Sequence, residues 1–169
     1  MKRALGIVFI AVLCFSLTGC TKIYHGTDEL MEKARQEIPI SDADTIEMRY
    51  AGMCGEDDRA IAWYISGNEY QAHYYLPMEV IITGNGANYT FVHTYKPLTD
   101  RCSDVAVMNW NHGYAFLINN PKVAVVKITL QNGETVEETI KETMIPYAFY
   151  VQDHLSEYIF LDSEGNEVK

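Results

Sequence analysis

The chain predicts a mainly β fold, an antiparallel sandwich or a small barrel carrying one short N-terminal helix, and three observations lead there. From residue 44 onward, apolar and β-branched residues come in short runs punctuated by Gly, Asn and Asp, with no helical period between them. Tight-turn residues separate several of these runs, at Gly67-Asn68, Asn111-His112-Gly113 and Gln131-Asn132-Gly133. The composition, 48 % hydrophobic and 21 % charged, is that of a globular chain able to build a core, which excludes disordered, collagen-like and coiled-coil classes. Trp63 between Cys54 and Cys102 invites comparison with immunoglobulin domains, but it follows the first cysteine by only 9 residues and no Tyr stands two before Cys102. An immunoglobulin-like arrangement is therefore one architecture among those expected.

The first element is an address. Lys2 and Arg3 precede an apolar run from Ala4 to Leu17, 14 residues long, whereas a membrane-spanning helix needs about 20. This is the pattern of an export signal over residues 1–19. At its end Leu17-Thr18-Gly19-Cys20 resembles the lipobox of bacterial membrane lipoproteins, in which the cysteine thiol receives a diacylglyceryl group. The resemblance covers only about the first 20 residues. It implies lipidation at Cys20, a lipidated tether over 20–26, one β-rich domain with an N-terminal helix over 27–169, and a location on the extracytoplasmic face of the cell membrane. Loss of Lys2 and Arg3 with the leader leaves 11 basic against 23 acidic residues, a formal charge of −12 that repels nucleic acid and anionic headgroups. Outside Cys14 and Cys20, the remaining Cys54 and Cys102 suggest one disulfide in an exported domain.

Next comes the helix, about 12 residues long. Thr27 is a candidate cap, Asp28 and Glu29 suit the positive end of the helix dipole, and Leu30, Met31, Ala34 and Ile38 share one face. Glu29 and Lys33 stand in i,i+4 spacing, and Pro39 ends the pattern.

The strands follow. A two-residue turn at Gly67-Asn68 pairs Ile65 with Tyr70, Trp63 with Ala72 and Ile61 with Tyr74 on one face, and leaves Tyr64, Gln71, His73 and Tyr75 on the other. At Gln131-Asn132-Gly133 a two-residue turn would put the apolar sets of the two strands on opposite faces. A three-residue loop with Gly133 in the left-handed region instead pairs Ile128 with Val136 and Ala124 with Ile140 on the core face, and Lys127 with Glu137 on the wet face. Asn111-His112-Gly113 allows the same geometry. Further strands are expected near 44–50, 78–83, 88–95, 146–151 and 156–161, and Glu56-Asp57-Asp58 reads as a hairpin loop.

Chemistry is sparse. The five histidines, 25, 73, 93, 112 and 154, stand singly without zinc-ligand spacing, so no metal and no cofactor are expected. The acidic run lacks the spacing of a calcium loop. Gly84-Asn85-Gly86 precedes no helix and so forms no phosphate cradle. No catalytic residue is assigned, since Gly-x-Ser-x-Gly and comparable signatures are absent. Tyrosine is abundant, 12 in all, and the face bearing Tyr64, Gln71, His73 and Tyr75 is the candidate binding surface. These readings point to a lipid-anchored binding domain whose partner is an envelope protein or glycan. The alternative is a cell-envelope hydrolase whose residues meet only in the tertiary structure.

Overall fold

A computed structural model describes residues 22–39, 41, 43–67, 73–99 and 102–169; the leader, Cys20 and Gln71 lie outside the described residues. The described chain runs β1 (Ile23–His25), α1 (Gly26–Glu37), β2 (Met48–Glu56), β3 (Arg59–Ser66), β4 (Tyr74–Thr83), β5 (Asn88–Thr94), β6 (Leu98–Thr99), β7 (Val105–Trp110), β8 (Gly113–Ile118), β9 (Val125–Leu130), β10 (Thr135–Thr139), β11 (Tyr147–Val151) and β12 (Leu155–Leu161). The expected strand at 44–50 starts later, because Ala43–Thr45 form a 3-10 turn.

The fold is a stack of antiparallel sheets with no closed barrel among the described residues. One sheet has the order β1-β5-β4-β3-β2, a second β11-β8-β7-β6, and a third β10-β9-β12. Within the first two, β2 to β5 and β6 to β8 follow one another as simple hairpins, unlike the Greek-key connections of an immunoglobulin domain.

Side-chain alternation explains the layering. On β3, Ala60, Ala62 and Tyr64 face α1 with Leu76, Met78 and Val80 of β4. Ile61, Trp63 and Ile65 face the opposite way, against Ala106, Met108, Trp110, Ala115 and Leu117 of the second sheet. The other face of that second sheet, with Val105, Val107, Phe116, Ile118 and Phe149, packs on Val126, Ile128, Leu130 and Phe160 of the third. Helix and three sheets thus enclose three cores. One close approach between the first two sheets needs a glycine: a Cβ on Gly52, whose φ is +128, would stand 3.1 Å from Ala148 Cβ of β11.

Helix α1 buries the expected face, with Leu30 and Ala34 fully enclosed and Ile38 beside them. Its start differs from the expectation. Thr27 does not cap it; the His25 N–H donates to Glu29 Oε2 at 2.7 Å instead. Glu29 being so engaged, Lys33 pairs with Glu37. The stretch expected as a free tether is also partly folded, because Tyr24 buries its ring beside Tyr89 and draws Ile23–His25 onto the edge of β5.

Three hairpins test the register arguments. The loop at 131–133 is as expected: Val136 pairs with Ile128, Glu137 with Lys127, and Gly133 has φ +87. Val136 is nevertheless 41 % exposed, since β10 is an edge strand reaching past the core, whereas Ile140 is buried. The turn after β7 is shorter than expected. Trp110 pairs with Gly113, so Asn111 and His112, both at positive φ, form a two-residue turn whose left-handed backbone suits the strand twist.

The β3–β4 hairpin corrects the expectation most. Ile65 pairs with Tyr75, Trp63 with Pro77 and Ile61 with Glu79, rather than with Tyr70, Ala72 and Tyr74. The connection therefore spans 67–73, and the odd displacement of five residues exchanges the faces of β4 relative to β3. The physical cause is burial of β3 on both sides, since a strand without a wet face carries no alternation from which to read its register.

Candidate functional site

With the register corrected, the expected binding surface separates. Tyr64 lies under α1, fully buried, and its hydroxyl donates to the Thr27 carbonyl at 3.0 Å. Tyr75 lies on the opposite face of the same sheet, half-buried against the second core. His73 stays close to Tyr75, with ring centroids 6.1 Å apart, and its Nδ1 faces the Ser66 carbonyl at 3.2 Å. Two of the four expected residues therefore remain neighbours.

Those two line a pocket of about 300 Å³ where the start of β4 meets β6 and the start of β7. Tyr74, Tyr75, Pro97, Leu98, Val105 and Ala106 form its apolar wall, and His73, Lys96 and Asp104 supply polar groups. An apolar cavity with a few convergent polar groups is the usual form of a small-ligand site, and this one is at the lower end of the usual size. Leu98 is 54 % exposed, an apolar side chain left in water at its wall.

One side of it is a short loop, Cys102 to Asp104, of which Ser103 and Asp104 also line an open groove of about 890 Å³. Asp104 adopts φ +57, an uncommon conformation for a residue with a side chain, and two contacts hold it there. Its carbonyl accepts the Asn119 N–H at 2.9 Å, and its carboxylate accepts the Tyr75 hydroxyl at 2.9 Å. Arg49 donates to Asn119 Oδ1 at 3.0 Å, extending the network to β2. Burial and the Asp104 carboxylate together push the Tyr75 hydroxyl far above its ordinary pKa, so it stays a proton donor at any physiological pH. From the groove side, buried Asn120 donates to the Ser103 carbonyl at 3.0 Å and to Cys102 Sγ at 3.8 Å. Asp104 and Asn120 were not singled out by sequence reasoning. The only signal for them was turn chemistry, in Ser103-Asp104 and in Asn119-Asn120-Pro121.

The expected bridge between Cys54 and Cys102 is not formed in this structure, where both are reduced, buried thiols. Cys54 belongs to the core between the first two sheets and Cys102 to the core on the far side of the second, an arrangement that keeps the sulfurs from bonding distance. Burial pushes the Cys54 thiol up to about 12, against a smaller opposing effect of Trp63. At neutral pH the folded protein is therefore expected to leave Cys54 unmodified by iodoacetamide, and the unfolded protein to be alkylated there. Peptide mass spectrometry of the two samples checks this, and equal labelling would show that the thiol is accessible.

Among the described residues, no group of three or more His, Cys, Asp and Glu is placed to hold a metal ion. His25 bonds to Asn88 Oδ1 at 2.7 Å, and His93 stands edge-on to Tyr95 at 4.9 Å. No described helix is long and apolar enough to cross a membrane. No protein-family model matches this chain, and no curated protein and no solved structure matches it.

Proposed function

We propose that the chain is a lipid-anchored extracytoplasmic domain that binds an envelope protein or glycan through the pocket of His73, Tyr75, Leu98 and Asp104. The observation that carries this reading is the pocket wall: an apolar surface containing exposed Leu98, backed by an Asp104 loop that two hydrogen bonds hold in a sparsely populated conformation. A rigid wall with a half-buried aromatic is what a binding site needs, because little conformational freedom is lost on capture. Leu98→Arg is expected to abolish capture of envelope material by the immobilised protein without lowering the melting temperature, since the side chain is more than half in water. Equal capture by the variant and the wild type, read by pull-down against isolated envelope fractions, would overturn the pocket assignment.

Anchoring rests on the lipobox resemblance, and Cys20→Ser is expected to lose incorporation of a metabolic fatty-acid label and to leave the membrane fraction, because the acyl chains supply nearly all of the membrane affinity. Unchanged labelling of the variant would sink the anchor.

One observation favours the hydrolase reading: His73 and Cys102 line the same pocket as Asp104. Against it, Cys102 is 3 % exposed, its thiol faces the Ser103 carbonyl and the Asn120 amide, and Asp104 is engaged by Tyr75. A nucleophilic thiol needs an accessible thiolate. Modification of Cys102 in the folded protein by an electrophilic probe, lost in His73→Gln, would reverse the preference.

A further inference from the structure

The pocket of His73, Tyr75 and Leu98 lies at a strand edge, not on a sheet face. Neighbouring residues of a strand point to opposite faces, yet the pocket touches both Tyr74 and Tyr75 of β4 and both Val105 and Ala106 of β7. Tyr74 packs toward the core under α1 and Tyr75 toward the core between the first two sheets. Val105 and Ala106 divide likewise between the core on the third sheet and that same middle core. A space that both members of a pair reach is at the edge of the strand. At that edge β4 is short of a partner. Its first residues pair with β3 on one side, Tyr74 with Ser66 and Tyr75 with Ile65. On the other side the β5 ladder stops early: Thr94 lies opposite Met78, and the last bond runs from the Tyr95 N–H to the Pro77 carbonyl at 3.0 Å. From there the chain leaves β4 through Lys96 and Pro97 and joins the second sheet as β6, its edge strand among the described residues. Main-chain groups alternate sides along a strand. Because the Pro77 carbonyl faces β5, the N–H and carbonyl of Tyr75, two residues earlier, face the same side, where no described strand accompanies them. The same alternation lets Pro77 stand opposite Trp63 without breaking the β3–β4 ladder, since its missing N–H belongs to the β5 side.

We propose that the pocket takes an extended peptide segment of an envelope protein, added as a short strand beside Tyr75 where β5 does not reach, with one apolar side chain seated against Leu98 and Val105. The inference rests on the pocket being the binding site, and it selects protein over glycan. An N–H and a carbonyl of one residue, both turned to an unaccompanied strand edge, are matched by peptide main chain: its N–H donates to the Tyr75 carbonyl, and its carbonyl accepts the Tyr75 N–H. Affinity in such an addition comes from the main chain and specificity from side-chain pockets beside it. Here the pocket wall offers Tyr74, Pro97, Leu98, Val105 and Ala106. A sugar ring would bring to that apolar wall hydroxyls that lose water without a partner there. The unaccompanied edge runs over Tyr74–Leu76, so the added strand is about three residues, or roughly 10 Å, long.

The test is hydrogen–deuterium exchange of the full chain in lipid nanodiscs, read by mass spectrometry at the Tyr75 amide. The probes are acetyl-Thr-Leu-Thr-amide, the same peptide N-methylated at every residue, and N,N′-diacetylchitobiose. In the protein alone, the Tyr75 amide is expected to exchange faster than that of Leu76, which faces β3; equal or slower exchange would show Tyr75 already paired and overturn the proposal. The unmethylated peptide is expected to slow exchange at Tyr75 about tenfold when its concentration is about ten times the dissociation constant, and the other two probes to leave it unchanged. Equal slowing by the methylated peptide or the sugar would mean that the pocket fills without main-chain pairing, which overturns the added strand and leaves the pocket standing. No slowing by any probe, with envelope material captured by the wild type and not by Leu98→Arg, would also overturn the strand alone. Equal capture by the two proteins would overturn strand and pocket together.

Discussion

Tyr64→Ala is expected to cost about 3–5 kcal/mol of stability, the range for emptying a large aromatic from a core, and to do so without a binding role. The ring is fully buried between α1 and the first sheet and meets Tyr50 edge-on at 5.8 Å. Its hydroxyl reaches the Thr27 carbonyl in the first turn of the helix, and burial drives its pKa well above the ordinary value. Truncation would leave a cavity and release the docking of a 12-residue helix, which is too short to persist alone. Urea denaturation measures the loss, and a change below about 1 kcal/mol would mean that the ring sits at the surface. Placed beside Leu98→Arg, which is expected to remove capture and spare stability, the experiment separates two residues that belong to quite different parts of the molecule.

What made Tyr64 resemble a surface residue is also what limits reading this fold from sequence. Where a strand had one wet face, register was legible. Lys127 opposite Glu137 and buried Val126, Ile128 and Leu130 follow directly from alternation around Gly133. The helix was legible for the same reason, since its polar side is in water and its apolar stripe is not. Strands β3 and β4 belong to a sheet covered by a helix on one side and by another sheet on the other. Both parities of β3 are apolar, and several registers satisfy the pattern equally. Gly67-Asn68 is turn chemistry that favours a short connection, whereas the pairing of Ser66 with Tyr74 leaves 67–73 between the strands. The pocket inherits that limit. His73 and Tyr75 are neighbours in the chain and stay together, but Asp104, Asn119 and Arg49 reach Tyr75 only through tertiary pairing of β4, β7, β8 and β2. No spacing in the chain encodes that contact.

Glu79 is the other buried group that sequence reading passed over, and its removal is the second large effect expected. The side chain is on β4 opposite His93 of β5 and is 1 % exposed, in the layer between the first two sheets. Arg59 Nε donates to it at 2.9 Å, its guanidinium also pairs with the carboxylate, and the Tyr95 hydroxyl donates at 2.6 Å. The indole of Trp110 is directed toward the same carboxylate without reaching hydrogen-bond geometry, and Arg59 lies over that indole at 5.9 Å. Burial alone would raise the carboxyl pKa; the Tyr95 and Arg59 hydrogen bonds outweigh it and hold the group below the ordinary carboxylate value. Breaking a buried pair typically costs about 3–5 kcal/mol, and Arg59, 47 % exposed at its side chain, can turn its charge to water. Glu79→Ala is therefore expected near the lower limit, about 3 kcal/mol, including the stranded Tyr95 hydroxyl. The pH dependence has a definite sign. Because the folded pKa is depressed, the carboxylate's contribution is fully present above the unfolded value of about 4.3 and is lost as pH falls through the folded pKa. In Glu79→Gln no proton is taken up at this position, so the stability gap between wild type and variant should stay level from pH 7 to about 4.3 and narrow as urea titrations are taken further down through the folded pKa. A wild type that instead gains stability over the variant as the pH falls from 7 toward about 4.3 would show that Glu79 is a neutral acid in the folded protein.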